Sequence, residues 1–107
     1  MNIPFTIAFS TNSTVPVYFI ENVSKTTMVR NIVVHNTAGG NQSVHLTYKA
    51  GYADTIGIGT VLDFYVATLA AKGSIIFNDM IICNPGDSVG VYCDGNNINV
   101  LANCVVL

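Results

Sequence analysis

His35 and His45 bracket the small-residue loop of the stretch "MVRNIVVHNTAGGNQSVHLTYK", residues 28 to 49. Imidazole is the side chain that exchanges a proton near neutral pH and the commonest metal ligand. With the loop closing a hairpin that sets His35 opposite His45, both rings would share one face and hold a metal ion jointly. A third ligand is missing from the pattern, because Asn36 and Asn41 are poor ones, so the two histidines read as surface or turn residues. The carboxylates Glu21, Asp54, Asp63, Asp79, Asp87 and Asp94 fall in different turns. They have neither the spacing of a calcium loop nor a close acid pair for glycoside chemistry. "GIGTVLD" at 57–63 holds a GxG but lacks the last glycine and the following helix of a dinucleotide site, and no serine sits in a nucleophile elbow. Cys83, Cys93 and Cys104 are an odd set without CxxC spacing, which argues against a zinc site or a disulfide framework; they read as reduced core thiols. The expectation is a protein without catalytic residues, metal or cofactor.

The composition points the same way. Four basic and six acidic residues among 107 leave 9% charged, where soluble domains carry about 25%. Half of the chain is hydrophobic, so much of the surface is expected to meet other protein, although 12 Asn residues provide an alternative, uncharged polar surface. A net charge of -2 with scattered basic residues gives no footprint for a phosphate backbone, and nucleic-acid binding is not expected. "MNIPFTIAFS" has no basic leader region, and no apolar run approaches the ~18 residues of a membrane span; neither export nor membrane insertion is expected. The sequons headed by Asn12, Asn22 and Asn41 read as accidents of an Asn-, Ser- and Thr-rich chain.

The elements that must position these residues are strands, because period two dominates throughout. Strands are expected at 3–9, 15–20, 27–36, 43–49, 60–69, 74–77, 80–83, 88–93 and 97–106. In "NPGD" Pro85 and Gly86 suit a type II turn, while "DGNN" at 94–97 reads as a tight hairpin turn with Gly95 and Asn96 left-handed. Val44, Leu46 and Tyr48 are expected to face in, and Ser43, His45, Thr47 and Lys49 out. Ile98, Val100, Ala102, Cys104 and Val106 form another inward row, but Leu101, Val105 and Leu107 spoil its polar side. In "MVRNIVVHN" both parities are apolar, the mark of a strand covered on both faces or carrying a bulge. Such strands make an all-β, single antiparallel β-sandwich, jelly-roll or immunoglobulin-like.

The first ten residues stand apart. Ile3, Phe5, Ile7 and Phe9 make one apolar row, and Pro4 is tolerated at a sheet edge and not inside a ladder. Residues 1–10 are therefore expected to be an N-terminal edge strand or arm, with 11–107 the sandwich domain. Ile3, Phe5, Ile7 and Phe9 are the candidate subunit or particle contacts.

The succession "STVPVYFIENVSKTTMVRNIVVHNTAGGNQSVHLTYKA", "FYVATLAAKGSIIFND" and "CNPGDSVGVYCDGNNINVLANCVVL" resembles small β-sandwich virion structural proteins of tailed bacteriophages. The resemblance runs over residues 13–107 through the Ile-Val-Val-x-Asn strand, the "x-Gly-Asp-Ser-Val" entry to the penultimate strand and the alternating final strand. The loop "GYADTIGIGT" is outside its pattern. It implies a capsid decoration or cement protein, or a tail-associated one, made in the host cytoplasm and located in the virion. It also implies a homo-oligomer, commonly a trimer or a higher symmetric cluster, bound to a major capsid or tail protein, without catalytic residues or cofactors. The competing reading is a carbohydrate- or receptor-binding sandwich, for which Tyr52 is the plain aromatic candidate. An exported fimbrial subunit would require a leader.

Overall fold

The computed structural model describes residues 2–51 and 61–107. Nine strands run through them: β1 (Ile3–Thr11), β2 (Val17–Ile20), β3 (Thr27–Asn36), β4 (Gln42–Lys49), β5 (Val61–Leu69), β6 (Ser74–Phe77), β7 (Ile81–Cys83), β8 (Ser88–Cys93) and β9 (Ile98–Val106). Every expected strand is present, with ends displaced by two residues at most. All pairings are antiparallel. Sheet A has the order β1-β9-β3-β6, with β7 also on β3, and sheet B the order β2-β8-β4-β5. β6 and β7 lie end to end on one side of β3, against Ile32–His35 and Thr27–Val29, and so fill a single strand position. The two sheets, each four positions wide, with the chain crossing between them after β1, β2, β3, β5, β7 and β8, form a jelly roll. Strand order thereby decides between the two topologies that periodicity leaves open.

Two connections correct the sequence expectation. The loop 37–41 joins β3 in sheet A to β4 in sheet B, and 94–97 joins β8 in sheet B to β9 in sheet A. Both are arches between sheets and not hairpin turns. A short Gly- and Asn-rich link can do either job, and here a buried amide pair favours the arch. Asn36, fully buried, donates through Nδ2 to the carbonyls of Gly40 at 2.9 Å, Ala70 at 3.0 Å and Leu69 at 3.3 Å. Its Oδ1 accepts from Ala38 N at 3.0 Å and from Gln42 Nε2 at 2.8 Å, and the same Nε2 reaches Asn97 O at 3.3 Å. Three connections at one end of the sandwich are thus tied to two side chains.

The turns otherwise behave as their residues demand. Asp87 N donates to Asn84 O at 3.0 Å and Gly86 has φ of 90°, a type II turn. Gly95 has φ of 110°, whereas Asn96 is not left-handed, contrary to expectation: an arch does not need the two positive φ values of a type I′ hairpin.

The core lies between the sheets and explains the two-sided β3. Register shifts between Val29 and Asn31 opposite β9, and this bulge reverses the parity of the residues beyond it. Val29, Ile32 and Val34 consequently all face inward, at most 1% exposed, while Met28 and Val33 face out. Thr47 corrects another expectation: it is fully buried although it points away from the core. Thr47 pairs with Gly90, and Gly90 with Tyr18. A Cβ on Gly90 would lie 2.9 Å from Tyr18 Cδ1 and 3.0 Å from Thr47 Oγ1, so the Tyr18 ring crosses the bare Gly90 and seals the threonine hydroxyl without a hydrogen-bond partner. Cys83, Cys93 and Cys104 are free, buried thiols.

Candidate functional site

The fold separates the two histidines. His35 pairs with Ser74 and Asn99 on the outer face of sheet A, and its Nδ1 lies 2.7 Å from Ser74 Oγ. His45 lies on sheet B, opposite Tyr92. The two imidazoles thus occupy opposite sides of the sandwich, and a jointly held metal is ruled out by the arch between them. Among the described residues no three His, Cys, Asp or Glu side chains converge as a metal site. Tyr52, Asp54 and most of "GIGTVLD" lie outside the described residues.

Around His45 the structure builds a polar cluster that sequence spacing did not reveal. The His45 and Tyr92 rings stack at 4.3 Å with planes 10° apart. Asp63 Oδ2 lies 3.1 Å from His45 Nδ1 and accepts from Tyr92 OH at 2.6 Å. That hydrogen bond, followed by desolvation and the nearby carboxylate charge, pushes the Tyr92 phenol above its ordinary value. Tyr92 is held as a protonated donor, and the arrangement staples β8, β4 and β5 together. Asp87 does comparable work at the other end: Oδ1 accepts from Gly51 N at 2.9 Å and Oδ2 accepts from Tyr48 OH. Burial first, and then this hydrogen bond, raise the Tyr48 phenol well above its ordinary value. Both clusters hold the fold.

The N-terminal residues divide by environment. β1 pairs with β9 over nine positions, from Ile3 with Val106 to Thr11 with Ile98, and forms one edge of sheet A. Phe5, Ile7 and Phe9 pack against the protein's own core, with Phe9 5.8 Å from Phe19 across the sheets. Ile3 is 54% exposed. Of the four candidate contact residues, Ile3 alone is mostly exposed.

The outer face of sheet A is more informative. Register aligns Pro4, Val105, Met28 and Ile82 in one row across the strands, and Ala8, Leu101, Val33 and Ile76 in another. Leu101 is 40%, Ile76 60% and Ile82 43% exposed, whereas Val105, at 2%, is already covered by its own neighbours and forms the floor of its row. Between these rows Thr6 Oγ1 donates to Asn103 Oδ1 at 3.1 Å, and Asn103 Nδ2 to Asn31 Oδ1 at 2.8 Å. A second polar row follows, in which Ser10 Oγ donates to Asn99 Oδ1 at 2.6 Å beside the His35–Ser74 pair. Polar side chains are thus bonded sideways to one another, which lowers the cost of removing water from them. Arg30, at the bulge, is the one charged residue on these strands. The apparent spoilers Leu101 and Val105 were the signal in the sequence, but only register matches them with Met28, Val33, Ile76 and Ile82.

No family model and no curated protein matches this chain. Solved structures do. One, from work on Bacillus endospore appendages described as disulfide-linked pili, matches with a TM-score of 0.58 at 11% identity, covering 98% of this chain and 87% of that one. The nucleoplasmin-like N-terminal domain of Drosophila FKBP39 matches with a TM-score of 0.51 at 11% identity, covering 97% and 90%. A chain of the acid-stable capsid of Helicobacter pylori bacteriophage KHP30 matches with a TM-score of 0.50 at 12% identity, covering 100% and 94%. What this chain shares with all three is the β-sandwich fold over essentially its whole length.

Proposed function

We propose that this chain is a structural virion protein of a tailed bacteriophage, a capsid decoration or cement protein that stabilises the particle through protein–protein contacts. The observation that carries the reading is surface chemistry. Among the described residues eleven large apolar side chains are exposed, on a chain with only ten charged residues in 107. Such a surface is suited to burial in an assembly and poorly suited to a dispersed monomer. Two of the fold neighbours come from assemblies, a pilus and a phage capsid, in keeping with this reading.

In this role the protein acts without catalysis, cofactor or membrane, as a symmetric homo-oligomer, a trimer, seated on a major capsid or tail protein. Ile3 and the free side of β1 supply one contact. Quantitative mass spectrometry of purified particles from the phage or prophage that encodes the chain is the test. A fixed, stoichiometric copy number per particle is expected; absence from the particles overturns the proposal.

A further inference from the structure

We propose that the outer face of sheet A is a two-fold interface between copies of this chain, an inference that rests on the assembly reading and names a surface and partner for it. The argument is the symmetry of the row pattern. The two apolar rows are separated by four residues on β1, from Pro4 to Ala8, and on β9, from Leu101 to Val105. On β3 the separation is five, from Met28 to Val33, because the bulge absorbs the extra residue. The Thr6–Asn103–Asn31 row lies midway.

A two-fold axis in the plane of the interface along that middle row turns a second copy face down. It lays the Pro4 row of one copy on the Ala8 row of the other, and the reverse. Apolar rows meet apolar rows, and the laterally bonded amides meet amides. The pattern is therefore complementary to itself, as an isologous contact requires.

Size and charge agree. The sandwich is a slab of 39 × 34 × 19 Å, so its broad face is large enough for the roughly 800 Å² per partner of a standard interface. A single positive residue gives the face nothing with which to select an oppositely charged partner. The two copies of Arg30 come near the axis, so salt should strengthen this contact by screening their repulsion. The contact leaves Ile3 and the free side of β1 uncovered, and is compatible with a three-fold contact made there.

The experiment uses the full chain and measures mass by sedimentation equilibrium across a concentration series. The wild-type protein is expected to self-associate, more tightly as salt is raised. The double substitution Leu101→Lys, Ile76→Lys places ammonium groups in one apolar row at exposed positions, and is expected to weaken association by about a hundredfold or more. Val66→Lys, equally exposed but on sheet B, is expected to leave it unchanged. Asn103→Cys, on the axis, is expected to be captured as a covalent dimer by a short bis-maleimide, because facing sheets lie about 10 Å apart, beyond the reach of a disulfide. A wild-type monomer at every concentration overturns the two-fold interface, as does association indifferent to the Leu101 and Ile76 substitutions in a folded protein. So does failure of the bis-maleimide to capture the Asn103→Cys variant under conditions where the wild type self-associates. Particle incorporation, read by mass spectrometry, is independent of all three: a particle-bound protein whose sheet A substitutions change nothing keeps the assembly reading and removes this surface from it.

Discussion

Gln42 Nε2 donates to Asn36 Oδ1 at 2.8 Å inside the sandwich, with both residues at most 1% exposed. Asn36 also answers three backbone carbonyls and one amide, so its loss leaves several buried polar groups unpaired. Asn36→Ala is expected to cost about 3 kcal/mol or more, a drop in Tm of over ~10 °C for a domain of this size. Urea denaturation of this variant beside Ser43→Ala, whose hydroxyl is peripheral, measures it; equal effects would show that the amide pair does not hold the arches.

Thr47 gives a prediction of opposite sign. Its Oγ1 is buried without a partner, so Thr47→Val removes an unsatisfied group while keeping the shape. It should be neutral or stabilising by about 1 kcal/mol. Gly90→Ala, by contrast, drives a methyl to 2.9 Å from Tyr18 Cδ1 and Val17 O. It should cost about 1–3 kcal/mol by pushing β2 from the sheet. Thermal unfolding of the two variants should move in opposite directions or differ by that margin.

The buried thiols set an alkaline limit. Desolvation, aided at Cys83 by the Asp87 charge, raises both Cys83 and Cys104 from an ordinary 9.0 to about 11. The unfolded chain therefore loses these protons first as pH rises. The stabilisation is complete below pH 9 and is lost between about 9 and 11, at ~1.4 kcal/mol per unit for each thiol. Stability should fall over that window, with a shallower slope in Cys83→Ala and Cys104→Ala. At neutral pH the native thiols should resist a thiol reagent until unfolding, and added reductant should leave Tm unchanged.

β1 separates contact from core. Phe9→Ala removes part of the packing against Phe19 and should lower stability by about 2–3 kcal/mol. Ile3→Asp, at an exposed position, should change stability by less than ~0.5 kcal/mol and weaken assembly or particle attachment. Circular dichroism melts paired with a particle-binding assay distinguish the two effects; an Ile3→Asp protein that binds normally would remove β1 from the contact surface.

Sequence alone determined the strands, because alternation of side chains is a local property of an extended chain: Val44, Leu46, Val100, Ala102 and Cys104 all face the core that their parity requires. It also determined the type II turn at 84–87 and the dearth of charge. Partners were decided only in three dimensions. The links 37–41 and 94–97 have residues that suit either a hairpin or an arch, and the choice rests on Asn36 and Gln42 meeting distant backbone. The bulge at Arg30 turns a strand with two apolar parities into one with a single inward row. Thr47 is buried because Tyr18, 29 residues earlier in the chain, crosses Gly90 to cover it. The apolar rows of sheet A exist only once β1, β9, β3 and the β6–β7 pair stand side by side in register, since a row across strands joins residues that no local period connects.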